Sequence, residues 1–495
     1  MTDLAVKSPA SLLVMKFGGT SMGSAERIRA AAELISREAK RRPVAVVVSA
    51  MSKVTDLLLD TMRKAEAGEL SLVEGNFRTL ADKHELCCSE LLAGDAGRKS
   101  REGLLELLSE FEKIVRGMLL LGERPASAVD RAVAIGERLS ALLMAAYLEA
   151  QGVPAKAVNG AHVTCTDQEF GDASPLMEET RARAGAVVQP LLAAGVIPVM
   201  TGFNGSTLAG RPTTLGRGGS DFSASILAAA LNAAELWIWT DVDGIMTADP
   251  RLVPDARVID AITYNEAAEM AYSGAKVLHP RTLAPLIERK IPVWSKNSFA
   301  PEKPGTRIVP SISVAGGPRA VTSMKDVALV SVEPTPGAPG GVKLIAEAIE
   351  ALNAAGAEVL ALTSSSYRQN FCFLIRESEL EQVLQHMEQA FALELAHGYL
   401  KPLHVDQDVG LITVVGEGMR GTPGLAGNIF TAISRHKINI IAIAQGSSEL
   451  TIAVVVRRSG VDQAVRAIHA ECGLGEQGHV QDHAALDSSA FSTSQ

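Results

Sequence analysis

The stretch TTLGRGGSDFSASILAAAL, residues 213–231, decides how the rest of this chain is interpreted. A short β-type run (213–215) breaks into a glycine-rich loop that contains Arg217, and a small-residue pattern with helical spacing begins around Asp221. Glycines let backbone N–H groups approach an anion, and a helix N-terminus adds unpaired donors and a positive dipole end. Arg217 can donate paired hydrogen bonds to a carboxylate or phosphate, and Asp221 can hold an ammonium group. The stretch therefore predicts a site for a small anion, although a glycine-rich connection with solvated charges fits the loop alone equally well.

The composition favours an α/β protein of several domains. The chain has 495 residues, 4% aromatic residues and a formal net charge of −9, a length that corresponds to about three domains. Abundant small residues suit helices packed on parallel sheets. The negative charge, with no basic stripe, argues against a nucleic-acid-binding surface. Acidic ligands must then be bound by local arginines, lysines and backbone N–H groups.

The cysteine pattern and the hydropathy predict a soluble, cytoplasmic protein without a membrane partner. The five cysteines form neither CxxC pairs nor Cys/His ligand spacings, which indicates a reducing compartment and argues against structural zinc. No signal peptide is evident, and no apolar run approaches membrane-spanning length.

Strand and helix patterns alternate through the first half of the chain. The run 12–17 predicts a buried strand, followed by a glycine turn and a helix over 25–40, and the β-branched run 44–49 is typical of a parallel strand covered on both faces. This alternation predicts a doubly wound, mostly parallel sheet. Residues 55–151 show helical periodicity and predict a largely helical insertion on one edge of that sheet.

Glu137 interrupts a largely apolar helix pattern within this insertion. Such a carboxylate is either exposed or a buried ligand for a cation. Because glutamates are seldom fully buried, the residue type alone favours an exposed position.

Polar residues follow several predicted strands, where ligands bind in open α/β sheets. Lys16 ends an apolar strand beside two glycines. Burying an unpaired ammonium group costs several kcal/mol, so an anion such as phosphate is its expected partner. Four such polar sites are linked to glycines or strand ends: Lys16 with 18–21, Arg217 with 218–221, Thr240 with Asp241, and Lys276.

The composition and the order of predicted elements change after Pro304. Residues 301–341 are rich in proline and glycine, and two units of the order strand, helix, strand, strand, helix follow, which predicts duplicated ferredoxin-like βαββαβ modules. A GxGxxG match at 416–421 lacks the acidic residue that a dinucleotide site needs after the next strand, so we do not expect NAD binding. We expect 484–495 to be disordered.

Five motifs in register now identify a family resemblance: KFGGTS (16–21), SAMSKVTDLL (49–58), GRGGSD (216–221), WTDVDGIMTADPR (239–251) and SGAKVLHP (273–280). Together they resemble an aspartate kinase of the amino acid kinase family, and the duplicated modules resemble its two ACT regulatory domains. The resemblance implies an amino acid kinase domain over 12–310 and ACT domains over 320–400 and 405–483. Because ACT modules interleave in this family, 311–326 is a candidate strand of the second module.

The resemblance implies transfer of the ATP γ-phosphoryl group to the β-carboxylate of L-aspartate, with Mg²⁺, giving 4-phospho-L-aspartate. An ionised carboxylate needs no general base, so catalysis is positioning and charge neutralisation. The implied catalytic residues are Lys16, Asp221 and Lys276, with the backbone N–H groups of Gly18 and Gly19 on the phosphates. Further nucleotide contacts implied by the resemblance are Thr240, Asp241, Met246, Arg251 and Val277. At Met246 the chain departs from these relatives, which often carry tyrosine at that position.

For aspartate, the resemblance implies that Arg217 binds the α-carboxylate and Glu137 the α-ammonium group. Ser49, Thr55, Gly218, Gly219 and Ser220 complete the implied substrate pocket.

The C-terminal modules imply an amino-acid effector, threonine or lysine, and assembly into a homodimer or homotetramer. Residues 442–452 closely resemble the threonine-sensitive type of bifunctional aspartokinases, whereas Ser364 and Arg368 depart from it, so the effector stays open. The implied effector contacts are Asn439, Ile440, Gln445 and Ser447. Such an enzyme catalyses the first step of lysine, threonine and methionine biosynthesis. Two alternatives stay open: a related kinase that acts on another acid such as glutamate, and a non-catalytic amino-acid sensor.

Overall fold

The computed structural model describes residues 12–275, 277–312, 316–336, 338, 341–365, 370–419, 422–445 and 450–475. The chain forms two compact units. The first is drawn from Met1–Ile245, Asp260–Tyr264 and Leu278–Ile312, and the second from Met246–Ile259, Asn265–Val277 and Ser313–Gln495. Within the described ranges, no helix combines the length and apolar character needed to cross a membrane.

The strands are, in chain order, β1 (Leu13–Phe17), β2 (Val44–Val48), β3 (Ala155–Val158), β4 (Ile197–Thr201), β5 (Asn204–Ser206), β6 (Pro212–Thr214), β7 (Glu235–Thr240), β8 (Ala261–Thr263), β9 (Val293–Asn297), β10 (Thr306–Val309), β11 (Ala320–Val332), β12 (Ala361–Ser364), β13 (Phe371–Arg376), β14 (His404–Val415), β15 (Ile440–Ala444) and β16 (Thr451–Arg457). The helices are α1 (Ala25–Ala39), α2 (Val54–Glu66), α3 (Leu70–Leu91), α4 (Gly94–Leu121), α5 (Ala126–Val133), α6 (Ile135–Ala150), α7 (Met177–Val187), α8 (Gln189–Ala193), α9 (Gly219–Ala230), α10 (Tyr264–Tyr272), α11 (Pro280–Ile287), α12 (Gly341–Ala354), α13 (Leu380–Ala390), α14 (Ala392–Ala396), α15 (Leu425–Arg435) and α16 (Val461–Glu471).

The first unit is built on an eight-stranded sheet of order β3-β4-β2-β1-β7-β9-β10-β8. All neighbouring strands are parallel except β9 and β10. Every residue of β1 and β2 is buried, as expected for β-branched and apolar runs covered by helices on both faces. Because β1 lies between β2 and β7, the carboxyl ends of these three strands meet at one edge, where α/β sheets bind ligands. The predicted doubly wound, mostly parallel sheet is confirmed.

The stretch 213–231 folds as a strand, a loop and a helix, but its strand lies outside the main sheet. β6 pairs only with β5, in an antiparallel two-stranded ribbon. The glycine-rich loop follows, and α9 begins at Gly219. Gly216 has a φ of +70°, and a Cβ there would lie 2.1 Å from an Asp172 carboxylate oxygen, so this position needs glycine.

The second unit is built on one six-stranded antiparallel sheet of order β12-β13-β11-β14-β16-β15. β11 is 13 residues long. Its residues 327–332 pair with β13, and its residues 320–331 pair with β14. The two ferredoxin-like repeats are therefore joined through β11 and β14 into a single sheet.

Apolar side chains cover both faces of this second sheet. On one face, Phe373 packs with α12 and α13, and Val454 packs with α15 and α16. Leu374 and Leu411 belong to a separate apolar cluster of the same strands. The segment 246–259 contributes Val253 to the core that contains α16.

Candidate active site

A cleft of about 450 Å³ opens at the carboxyl ends of β1 and β2. Its walls are formed by five segments: the turn after β1, the loop between β2 and α2, the start of α6, the turn between β4 and β5, and the glycine-rich loop before α9. The residues that line it are Lys16, Gly19, 49–53, Thr55, Asp56, Glu137, Phe203 and 216–221. The structure thus brings every predicted substrate residue into one cleft with Lys16 and Asp221.

Lys16 provides a buried positive charge at the floor of the cleft. Its strand lies in the middle of the sheet, and the residue is 7% exposed. The ammonium nitrogen lies 2.5 Å from the carboxylate of Asp221, in the first turn of α9. Burial without this partner would cost several kcal/mol. The ion pair therefore connects the phosphate-type turn after β1 with the helix that follows the glycine-rich loop.

The two glycines after Lys16 differ in their backbone donors. The Gly18 N–H donates to the carbonyl oxygen of Trp239 at 3.2 Å, so it continues the ladder between β1 and β7. The Gly19 N–H donates to no backbone acceptor among the described residues. A Cβ at Gly19 would lie 3.1 Å from the Ala50 carbonyl oxygen, so the turn packs closely on the neighbouring loop. Gly19 is therefore the better placed of the two to donate to a phosphate.

Glu137 is buried, contrary to the expectation from its residue type. It is 3% exposed because α6 packs its first turn into the core beside β2. One carboxylate oxygen accepts a hydrogen bond from the Ala50 N–H at 3.3 Å, and the other has no partner. Burial raises the pKa of Glu137 to about 7, opposed by the Ala50 hydrogen bond and the charge of Lys16. A carboxylate with one unpartnered oxygen in a cleft is suited to bind a cationic group.

Arg217 projects from the glycine-rich loop and is exposed. The loop is anchored by Asp130, whose carboxylate accepts hydrogen bonds from the Thr214 N–H at 2.8 Å, the Thr214 hydroxyl at 2.9 Å and the Gly171 N–H at 2.9 Å. Burial raises the pKa of Asp130, and these hydrogen bonds oppose the rise. Asp172 holds the other side through an ion pair with Arg281. The exposed Arg217 side chain therefore projects from a backbone that is anchored on both sides.

Sequence reasoning missed Lys53 and Phe203, which also line the cleft. Both are non-glycine residues with left-handed backbones, with φ of +65° and +68°. Lys53 lies inside the motif at 49–58 and was not singled out there. Nothing in the composition around Phe203 indicates its conformation, which depends on the packing of its ring beside Gly219.

Ser298 joins the phosphate-type turn to the end of β7, where the predicted nucleotide residues Thr240 and Asp241 lie. Its N–H donates to the Thr240 carbonyl oxygen at 2.9 Å, and its hydroxyl lies 2.8 Å from that of Ser21. Arg27 donates to the Ser298 carbonyl oxygen at 2.6 Å. This network was also missed, because it depends on the register of β9 beside β7.

Three of the predicted nucleotide residues that the structure describes, Met246, Arg251 and Val277, belong to the second unit. There Met246 packs against the core that contains α16, and Arg251 forms an ion pair with Asp249 at 2.5 Å. Val277 follows Lys276, which lies outside the described residues. The nucleotide contacts of these four positions stay predictions.

The predicted effector residues lie around an edge strand of the second sheet. Ile440 begins β15, and Asn439 and Gln445 flank it with exposed side chains. Ser447 and Arg368 lie outside the described residues. Their roles also stay predictions.

The residues of the cleft fit a magnesium ion that is bound together with nucleotide phosphates, and not one held by protein side chains alone. Among the residues that the structure describes, no group of three or more His, Cys, Asp or Glu side chains is placed to hold a metal. Mg²⁺ commonly binds through one or two carboxylates together with phosphate oxygens and water. Asp221 is the carboxylate nearest the Lys16 ammonium and fits that pattern.

Comparison with known families agrees with this architecture. A model of the "Amino acid kinase family" matches residues 11–297, and a model of the "ACT domain" matches residues 412–472. The chain therefore belongs to the amino acid kinase family.

Relatives of the chain within that family include aspartokinases. The chain is 34% identical over 494 residues to bifunctional aspartokinase/homoserine dehydrogenase 1 of Arabidopsis thaliana, covering 95% of this chain and 53% of the relative. It is 30% identical to aspartokinase 1 of Arabidopsis thaliana, covering 92% of this chain and 79% of that one. The chain spans about half the length of the bifunctional relatives.

Solved structures give the same result. The crystal structure of E. coli aspartokinase III in complex with aspartate and ADP superposes with a TM-score of 0.80 at 28% identity, covering 93% of this chain and 99% of that chain. The complex of the same enzyme with lysine and aspartate gives a TM-score of 0.76 at 28% identity, covering 94% and 100%.

Proposed function

We propose that this protein is an aspartate kinase, which transfers the γ-phosphoryl group of ATP to the β-carboxylate of L-aspartate and gives 4-phospho-L-aspartate. This reaction opens the biosynthesis of lysine, threonine and methionine. The similarity to E. coli aspartokinase III, solved with aspartate and ADP, supports the proposal. The composition of the cleft supports it independently.

The observation that carries the proposal is the unpartnered carboxylate oxygen of Glu137 in the cleft that Arg217 also lines. A buried acceptor without a partner costs about 1–3 kcal/mol, and an α-ammonium group would remove that cost. Arg217 can bind the α-carboxylate of the same ligand with two parallel hydrogen bonds. Ser49, Thr55 and Ser220 line the space around them. Together these groups select an amino acid and leave its side-chain carboxylate directed at the phosphoryl donor.

The phosphoryl group is held from the side of β1. Lys16 neutralises charge on the transferring group, the Gly19 N–H and the N-terminus of α9 donate hydrogen bonds to it, and Asp221 orients the lysine. Mg²⁺ bound to the nucleotide would neutralise further phosphate charge. The acceptor carboxylate is already ionised at neutral pH, so these residues position and neutralise charge and no side chain needs to remove a proton.

A hydroxamate assay tests the proposal. The full chain is incubated with ATP, Mg²⁺ and hydroxylamine, and L-aspartate, L-glutamate and succinate are compared as acceptors. We expect product with L-aspartate alone. Faster turnover of glutamate would identify glutamate, and not aspartate, as the substrate. If no acid gives an ATP-dependent product, the kinase assignment is overturned in favour of an amino-acid sensor.

We further propose that the antiparallel unit is regulatory, with ACT domains over 320–400 and 405–483 that bind threonine or lysine and pair into a homodimer or homotetramer. The lysine complex of E. coli aspartokinase III supports an amino-acid effector. Adding each amino acid to the same assay, and measuring mass in solution, tests both parts. The cytoplasmic location stays a prediction.

A further inference from the structure

Three lysines among the described residues adopt a left-handed backbone, and one of them lies at the N-terminal end of a helix, where a positive charge is unfavourable. Lys290 and Lys437, with φ of +54° and +57°, follow the C-terminal ends of α11 and α15. There a left-handed residue is common and the helix dipole stabilises a cation. Lys53, with φ of +65°, is instead the residue before the first turn of α2. Its charge lies at the positive end of the dipole.

Local interactions give no reason for a lysine at this position. Its side chain makes no capping hydrogen bond to α2, and it forms no ion pair with any described carboxylate, including Asp56 three residues on. A second ammonium group lies nearby, because Lys83 donates to the Ser52 carbonyl oxygen at 2.6 Å. The pKa of Lys83 is lowered by burial and then by the charge of Lys53. Glycine would adopt the same backbone without strain.

The surroundings of Lys53 indicate what offsets these unfavourable terms. Lys53 lines the same cleft as Glu137, whose unpartnered, buried oxygen is suited to a ligand with a cationic group. In that cleft the Lys16 ammonium group pairs with Asp221 at 2.5 Å, whereas Lys53 has no ion-pair partner among the described residues. An oxyanion on the same ligand, or on its phosphoryl donor, would reduce the repulsion between Lys53, the helix dipole and Lys83.

We propose that Lys53 is a further anion-binding residue of the cleft, whose ammonium group contacts a carboxylate or phosphoryl oxygen of the bound substrates. The identity of those substrates rests on the proposed function, whereas the anion contact does not. Lys53 replaces the glycine that the backbone favours because its charge is used when the cleft is occupied.

The substitution Lys53→Gly tests this, with Lys290→Gly as the matched control. Both remove an exposed lysine from a left-handed position of the first unit, so both variants should melt at or above the wild-type temperature. We expect Lys53→Gly to lower kcat/KM about 10- to 100-fold, the loss of one charged hydrogen bond, and Lys290→Gly to change it less than about twofold. A loss confined to KM for L-aspartate assigns the contact to a carboxylate, and a loss in kcat assigns it to the transferring phosphoryl group. Wild-type kinetics in Lys53→Gly, or a loss matched by a lower melting temperature, would overturn the proposal.

Binding measurements separate this proposal from the kinase assignment. Calorimetric titration with L-aspartate and with inorganic pyrophosphate needs no turnover. Lys53→Gly should weaken at least one of these ligands about tenfold, and Lys53→Arg should restore most of the affinity, because the contact requires charge. If the wild type binds them and Lys53→Gly weakens neither, the proposal fails even where the enzyme is active.

Discussion

Both compact units bury a glutamate, and they satisfy it in different ways. In the second unit, Glu266 is fully buried, and its carboxylate accepts a hydrogen bond from the Glu417 N–H at 3.0 Å and lies 3.9 Å from the Arg319 guanidinium. In the first unit, Glu137 is also buried, but one of its oxygens has no partner. Since a native fold rarely leaves such a group unpaired, the difference marks the first unit as the place for a ligand.

The two sheets explain why the units differ. Neighbouring parallel strands end at the same edge, so Lys16 and the loop after β2 converge on one cleft. The antiparallel sheet has apolar clusters on both faces. Beside it, the buried His469 of α16 and the buried Thr247 of segment 246–259 hydrogen bond to each other at 2.9 Å. The first unit therefore leaves the Glu137 carboxylate with an unpartnered oxygen in its cleft, whereas the Glu266 carboxylate of the second unit is held by groups of that unit. Four predictions test this contrast, from the largest expected effect to the smallest.

Lys16→Ala should lower the rate of aspartate phosphorylation at least about 1,000-fold, because it removes the buried charge that neutralises the transferring phosphoryl group. The matched control, Lys325→Ala, removes a lysine of the second unit that pairs with Asp462 at 2.7 Å. It should change the rate less than about twofold. Hydroxamate rates measure both effects, and circular dichroism checks that each variant is folded. Near-normal activity of Lys16→Ala would refute the phosphate role.

Exchanging each buried glutamate for glutamine should have opposite consequences. Glu137→Gln is expected to lower kcat/KM for aspartate about 10- to 100-fold, because the charged partner of the α-ammonium group is lost. Glu266→Gln should leave catalysis nearly unchanged and lower the free energy of unfolding by about 1–3 kcal/mol. Kinetics and urea unfolding on both variants measure this. If Glu137→Gln keeps its activity and is the variant that lowers the free energy of unfolding, the assignment of the ligand site to Glu137 of the first unit is wrong.

The pH dependence of Glu137 gives the third test. Only the ionised carboxylate holds an ammonium group, so kcat/KM for aspartate should rise as pH increases through the pKa of about 7. Burial raises this pKa from 4.5, so the stability that the neutral form gives is present below pH 4.5 and is lost as pH rises to 7. The loss is on the order of 3 kcal/mol. Glu137→Gln should therefore be more stable than the wild type at pH 8, and the two should converge at pH 4.5. Parallel pH profiles of the two proteins would contradict this.

The sequence was sufficient for the parts of the site that depend on local pattern. The apolar run before Lys16 predicted β1, and the glycine-rich loop before Asp221 predicted the start of α9; the structure places both in one cleft. Residue type and periodicity carry this information because strands alternate with helices and glycine marks the turns.

The rest depends on packing between distant segments. Glu137 was expected to be exposed because glutamates usually are, and only the close packing of α6 beside β2 buries it. The hydrogen-bond network of Ser298 depends on which strand lies beside β7. The joining of the two repeats into a single antiparallel sheet depends on the length of β11. No local pattern specifies strand neighbours in a mixed sheet.

The smallest effect should come from two threonines of the second unit. Thr247 and Thr413 are both buried, but the Thr247 hydroxyl lies 2.9 Å from His469 and accepts the Arg257 N–H at 3.1 Å, whereas the Thr413 hydroxyl has no partner. Burial lowers the pKa of His469, so Thr247→Val would leave a neutral, buried imidazole nitrogen without a partner. We expect Thr247→Val to lower the free energy of unfolding by about 1–2 kcal/mol, and Thr413→Val to leave it unchanged or slightly higher. Urea unfolding of the pair measures the difference. Equal losses would mean that the hydrogen bond between Thr247 and His469 contributes nothing to the stability of the second unit.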